Sequence, residues 1–146
     1  MNIPRSESGD IPVGTAPTEG LVHRRSPFSV AETVDRLSSA IQAAGAKLFV
    51  VIDHSGEADR AGQALRDTKL LIFGNPALGT AAMVIASLLS IDLPLKVLVW
   101  ADDSGVVWMS YIDVEWLGAR YSLPGVEAGP LAAPDRLTAA VASSVG

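Results

Sequence analysis

Two places in this chain hold residue types that could do chemistry. The first is Ile72-Phe73-Gly74-Asn75-Pro76-Ala77-Leu78-Gly79-Thr80, where an apolar strand breaks into a turn and opens a helix. Gly74 permits an unusual backbone angle, and Pro76 fixes φ at the next position. Asn75 can cap a helix with Pro76 at its first position; alternatively Thr80 is the cap and Gly79 lets the chain approach it. Either arrangement would turn amides and the positive end of a helix dipole toward an anion. The run is not a nucleotide P-loop, since no lysine follows the glycine and the spacing differs. A strand-to-helix corner made of the residues such corners need is the competing reading.

The second place is His54, at the end of an apolar strand beside Asp53. An imidazole titrates at about 6.5, so it can take and return a proton near neutral pH. Neighbouring strand residues point to opposite faces, so Asp53 need not orient it, and a hydrogen-bonded turn histidine fits equally well. The other histidine, His23, lies too far along the chain for spacing to suggest a metal site, and none is expected. Asp102-Asp103-Ser104-Gly105 begins like a calcium loop but lacks the later ligands, so it reads as a hairpin turn. Ser110 lacks the setting of a nucleophile elbow. No catalytic residue and no cofactor follow from these patterns.

Elements that would position these residues are readable from period and punctuation. Residues 1–19 are rich in Pro, Gly, Ser and Thr and read as a flexible tail. Leu21 to Arg25 suits a first strand. Ser29 and Glu32 form a capping box, Val30, Val34, Leu37 and Ile41 follow at helical spacing, and Gly45 supplies a stop. Lys47 to Asp53 is a strand apolar on both faces. A short helix is expected from Glu57 to Arg66, a strand from Lys69 to Phe73, and a helix from about Thr80 to Leu89. Leu95–Ala101 and Val106–Ile112 form a hairpin, Asp113 caps a short helix, residues 123–134 read as a linker, and Asp135 to Val145 as a last helix. Trp100, Trp108 and Trp116 are assigned to core or interface.

The second hairpin strand is apolar on both faces, whereas a half-exposed antiparallel strand alternates apolar with polar. Both faces should therefore be covered, and a second copy of the chain is an economical cover. A homodimer is the expected assembly.

Composition bounds the rest. The 146 residues suit one domain, and hydrophobic residues at 49% suffice for a sizeable core. A net charge of −5 lacks the basic footprint of a nucleic-acid binder. With no cysteine, disulfides and thiolate chemistry are excluded. The opening residues lack the apolar core of a signal peptide, and the longest apolar run, Ala81 to Ile91, is about half a membrane span. A soluble, cytoplasmic protein without a membrane partner is expected.

The blocks Val51–His54, Lys69–Pro76 with Gly79-Thr80, Asp92–Trp100 and Gly105–Tyr111, in this order and spacing, resemble the domain-of-unknown-function family 302. The likeness covers residues 20–123, leaving 124–146 as linker and C-terminal helix. Ile112-Asp113-Val114 departs from the Asn-Asp-Pro usual in the family. The resemblance implies an α+β fold: a mostly antiparallel sheet of four to five strands, helices on one face, and the β-α-β(4)-α order of TATA-box-binding-protein-like domains. It also implies homodimers, and no settled activity. The expected function is binding of a small molecule or anion by His54, Gly74, Asn75, Gly79 and Thr80. A structural module without a pocket and an enzyme using His54 as acid–base are the alternatives.

Overall fold

A computed structural model describes residues 18–126 and 129–144. Most of the expected tail, residues 1–17, and the end of the last helix at Val145 lie outside them. Five strands, β1 (Leu21–Ser26), β2 (Lys47–Asp53), β3 (Thr68–Gly74), β4 (Leu95–Ala101) and β5 (Val107–Ile112), form one sheet in the order β1-β5-β4-β3-β2. Every pairing is antiparallel. The helices are α1 (Val30–Ala43), α2 (His54–Arg60), α3 (Pro76–Ile85), α4 (Val114–Arg120) and α5 (Ala133–Ala142), with 3₁₀ turns at Ser87–Ile91 and Pro130–Ala132. The α+β class and the strand count therefore agree with the sequence reading.

Local signals explain why α1 forms where it does. The Ser29 hydroxyl accepts the Glu32 amide at the start. At the end Gly45 adopts a φ of +77°, and the Gly45 and Ala46 amides reach back to the Gln42 and Ile41 carbonyls. A side chain there would be forced into the left-handed region, which is why this stop calls for glycine. Between the two ends Val30, Val34, Leu37 and Ile41 form one buried stripe.

That stripe meets one face of the sheet. Leu37 and Ile41 of α1 pack with Val22, Leu71, Phe73, Val97, Val99 and Met109 from the strands and with Leu137 and Val141 from α5. Burial of each such side chain is worth about 1.5–3 kcal/mol, so this layer dominates the stability of the fold. A second, smaller cluster gathers Leu89, Val114, Leu117, Leu131 and Ala132.

The segment that reads as a linker ends in packed residues. Leu131, Ala132 and Pro134 are buried, and the 3₁₀ turn at Pro130–Ala132 leads directly into α5. Sequence reading missed this because Pro and Gly punctuate the segment while its apolar residues follow no helical period. α2 also departs from expectation. It begins at His54, three residues early, because the Asp53 carboxylate accepts the Gly56 amide and the Ser55 hydroxyl.

A polar clamp fixes α5. Arg24 on β1 donates to Thr138 at 3.1 Å and to Asp135 at 3.3 Å, and the Tyr111 hydroxyl donates to Asp135 at 2.6 Å. Only 11% of the Arg24 side chain is exposed, so these hydrogen bonds satisfy a charge held largely away from water. Burial, and then the Asp135 carboxylate, raise the Tyr111 pKa above its ordinary value. Asp135→Ala is expected to cost about 1–3 kcal/mol, the penalty for leaving buried donors short of an acceptor. Urea unfolding of the variant beside the parent checks this.

Candidate functional site

A cleft of about 330 Å³ opens where β3 turns into α3. That lies at the lower end of the size range of ligand-binding clefts. Gly74, Asn75, Pro76, Leu78, Gly79, Thr80 and Met83 form one wall, and Leu93, Pro94 and Leu95, leading into β4, form another. Pro130, Leu131, Ala133, Arg136 and Leu137 come from the C-terminal segment, Ala44 and Ala46 from the link between α1 and β2, and Phe49 from β2. Four of the five residues singled out from the sequence, Gly74, Asn75, Gly79 and Thr80, thus share one cavity.

The corner itself is built on Asn75. Its side-chain oxygen accepts the Leu78 amide, its carbonyl accepts the Gly79 amide, and Pro76 occupies the first helical position. The helix therefore starts earlier than the expected Thr80, and Thr80 is not its cap. The Thr80 hydroxyl donates to the Pro76 carbonyl at 2.6 Å, inside the first turn. This changes the electrostatics expected of the site. Proline has no N–H, and the Leu78 and Gly79 amides are engaged, so the helix start offers an anion at most the amide of Ala77.

His54 does not join this group. Antiparallel pairing sets Lys47 opposite Gly74 and Asp53 opposite Lys69. Lys69 and Gly74 are thus about 17 Å apart, at about 3.4 Å per residue. His54 follows Asp53 at the far end, exposed at the first position of α2. The expectation that it lines a pocket with the Gly74–Thr80 loop is corrected by this register. Proximity along the sequence hid the fact that an intervening strand carries the chain the full length of the sheet.

Sequence reading missed Leu131, Arg136 and Leu137. Arg136 is the sole basic residue after Arg120, a signal that could have drawn attention to it. Nothing in the sequence spacing places it in the same cleft as Asn75.

A second constellation lies on the sheet. His23 and Ser110 face each other across β1 and β5, with Nδ1 and the serine Oγ 2.8 Å apart. The Trp100 indole N–H donates to the same Oγ at 2.9 Å. Within this hydrogen-bonded chain, the bond between the hydroxyl and Nδ1 runs in the direction set by the imidazole tautomer. The other ring nitrogen, Nε2, is buried with no hydrogen-bond partner among the described residues. A serine and histidine at this distance have the spacing of a nucleophile and base. Both are buried here, and the serine oxygen already accepts from Trp100, so the chain ties three strands together rather than presenting a nucleophile. Next to it Trp100 and Trp108 stack with centroids 6.5 Å apart, and Trp108 donates to Asp102, whose carboxylate also holds the Ser104 and Val106 amides of the hairpin turn.

Among the described residues, no group of three or more His, Asp or Glu side chains is arranged to hold a metal ion. Among the described residues outside the cleft, the most exposed large apolar side chains are Val84, Ile85, Leu88 and Ile91, each at least 68% exposed, on α3 and the 3₁₀ turn after it.

Burial lowers the His23 pKa below its ordinary value near 6.5. The unfolded chain, with the ordinary value, therefore takes up a proton at a higher pH than the folded one. The stability held by the neutral ring is complete above about pH 6.5 and is lost as pH falls toward the folded value. His23→Gln is expected to flatten the decline in the denaturation midpoint between about pH 7 and 5. Guanidinium titrations of parent and variant across that window check it.

Comparison with known proteins is consistent with this fold. A solved structure, an uncharacterized conserved DUF302 protein from Bacillus stearothermophilus, superposes with a TM-score of 0.72 at 16% identity, covering 84% of this chain and 96% of that one. Two proteins named fluoride-specific ion channel FluC 1, from Brucella suis and Brucella abortus, are 40% identical over 112 residues. The match covers 77% of this chain but 44% and 42% of theirs, so the chain spans less than half the length of these relatives. No helix among the described residues is long and apolar enough to cross a membrane. The family model described as domain of unknown function DUF302 matches residues 22–143, running past the resemblance ending at Leu123 and through α5. From β1 to the end of α5, this chain belongs to the DUF302 family.

Proposed function

We propose that this domain binds a small, largely apolar molecule in the cleft at the start of α3, and that it does so as a homodimer. The observation that carries the reading is the cleft itself, in which the family-like Gly74–Thr80 corner meets apolar side chains from four parts of the chain. Leu78, Met83, Leu93, Leu131 and Leu137 give a ligand a surface whose desolvation favours binding. The cleft argues against a purely structural module. The enzyme reading has lost its base, because His54 stands at the other end of β3.

Support for the dimer comes from Val84, Ile85, Leu88 and Ile91. All four are strongly exposed within residues 84–91, and large apolar side chains gathered on a surface are a mark of an interface. The Brucella relatives favour a further reading of the domain's setting. A ligand-binding domain carried in one chain with a fluoride-specific channel would let a small molecule influence that channel. Fluoride conduction itself is not assigned to this segment.

Nile red, a neutral dye that brightens in apolar sites, tests the cleft. The parent is expected to enhance its fluorescence saturably. Gly79 provides the control, since a Cβ built there lies 3.9 Å from Leu93 in ordinary contact. Gly79→Leu should therefore fold, fill the cleft and remove the enhancement. Enhancement retained in Gly79→Leu would place the dye elsewhere and count against this site. For the dimer, light scattering after size exclusion should give twice the chain mass for the parent and the single mass for Ile85→Asp/Leu88→Asp. A parent that runs as a monomer at micromolar concentration rejects the assembly.

A further inference from the structure

Among the described residues that line the cleft, Arg136 alone carries a charged side chain, and none is a carboxylate. Arg136 is exposed, donates one N–H to the Gly129 carbonyl at 3.3 Å, and forms no salt bridge among the described residues. A guanidinium has five N–H donors in a planar fork, so most of its hydrogen-bonding capacity remains open. The polar groups around the apolar walls are thus mainly donors: the Arg136 fork, and the Asn75 amide NH₂, whose partner oxygen is spent on the Leu78 amide. A head group that only accepts hydrogen bonds complements this set, and a head group with its own donors or a positive charge does not.

We propose that the ligand is an acidic amphiphile, with an apolar body against Leu131, Leu137 and Met83 and a carboxylate paired in the Arg136 fork. The inference rests on the cleft being a binding site, and it specifies the chemistry at its polar end. Carboxylate matches a guanidinium in two parallel hydrogen bonds, which are shorter and stronger than neutral ones. The helix start does not compete for the head group, because Pro76 lacks an N–H and Leu78 and Gly79 have theirs engaged. Arg136 sits beside Asp135, whose carboxylate is held by Arg24 and Tyr111. That clamp engages the carboxylate adjacent to Arg136 in the sequence and fixes the helix that presents the guanidinium.

Calorimetry with decanoate, decyl phosphate, decanol and decylamine, each below its micelle concentration, tests this on the full chain. Decanoate is expected to bind about tenfold or more tighter than decanol, the scale of a charge-assisted over an absent hydrogen-bonded pair. Decylamine should bind more weakly than decanol. Arg136→Gln should bring decanoate down to the decanol level while decanol binding stays unchanged, which also shows that the variant is folded. Arg136→Lys should restore only part of the preference, because an ammonium cannot pair in the bidentate fashion. Equal binding of decanoate and decanol by the parent, or a preference that survives Arg136→Gln, overturns the carboxylate assignment and leaves the cleft standing. Tighter binding of decyl phosphate than decanoate replaces carboxylate by phosphate and overturns the head group named. If none of these compounds binds, the cleft reading itself falls and this inference falls with it.

Discussion

Arg24 and Asp135 approach each other from opposite ends of the chain, and the geometry of the cleft depends on their meeting. Arg24 lies on the first strand and Asp135 in the first turn of the last helix, with Tyr111 of β5 donating to the same carboxylate. A charge that is only 11% exposed leaves little tolerance in how α5 can sit, because every displacement strands a donor away from water. Apolar packing of Leu137 and Val141 against α1 and the sheet supplies most of the attraction, but it is non-directional. The polar clamp gives that attraction an orientation. It sets which residues of α5 face the core and leaves Arg136 and Leu137 along the cleft.

The two ends of β3 then acquire different roles. At one end the strand runs into Asn75 and Pro76, the helix turns, and apolar side chains from distant parts of the chain enclose a cavity. At the other end Asp53 caps α2, and His54 stands in solvent. A histidine beside a carboxylate and a glycine-proline corner suggested one cooperative centre in the linear sequence. An antiparallel pair joined by a connection at one end necessarily separates the residues that enter that connection from those that leave the far end of the next strand. This constraint takes His54 out of both the enzyme reading and the expected binding site, and leaves Gly74, Asn75, Gly79 and Thr80 together in the cleft.

Much of the architecture was legible in the residues. The capping box at Ser29 and the glycine stop at Gly45 delimit α1, and the period of Val30, Val34, Leu37 and Ile41 orients it, because these are local interactions that a helix needs wherever it is placed. The hairpin of β4 and β5 was legible through its turn residues for the same reason. The apolar residues on both faces of β5 implied cover on both sides, and Val107 to Tyr111 are buried throughout. The Lys47–Asp53 run is equally apolar, yet it forms the sheet edge, with Phe49 and Val50 exposed at 43% and 44%. Side-chain pattern alone does not distinguish a strand covered within the monomer from one that ends the sheet.

By itself, then, the sequence determined the elements, the family-like blocks, the α+β class and the location of the Gly74–Thr80 corner. These depend on neighbours within a few residues or on a net apolar content that must be buried somewhere. Tertiary structure alone decided what the corner faces. It brought Leu131 and Arg136 from a segment that read as a linker, paired His23 with Ser110 across 87 positions, and carried His54 away to the other end of β3. Each of these is a relation between residues far apart in the chain. Such relations are fixed by sheet register and by one partly buried ion pair, neither of which leaves a local trace for spacing or propensity to reveal.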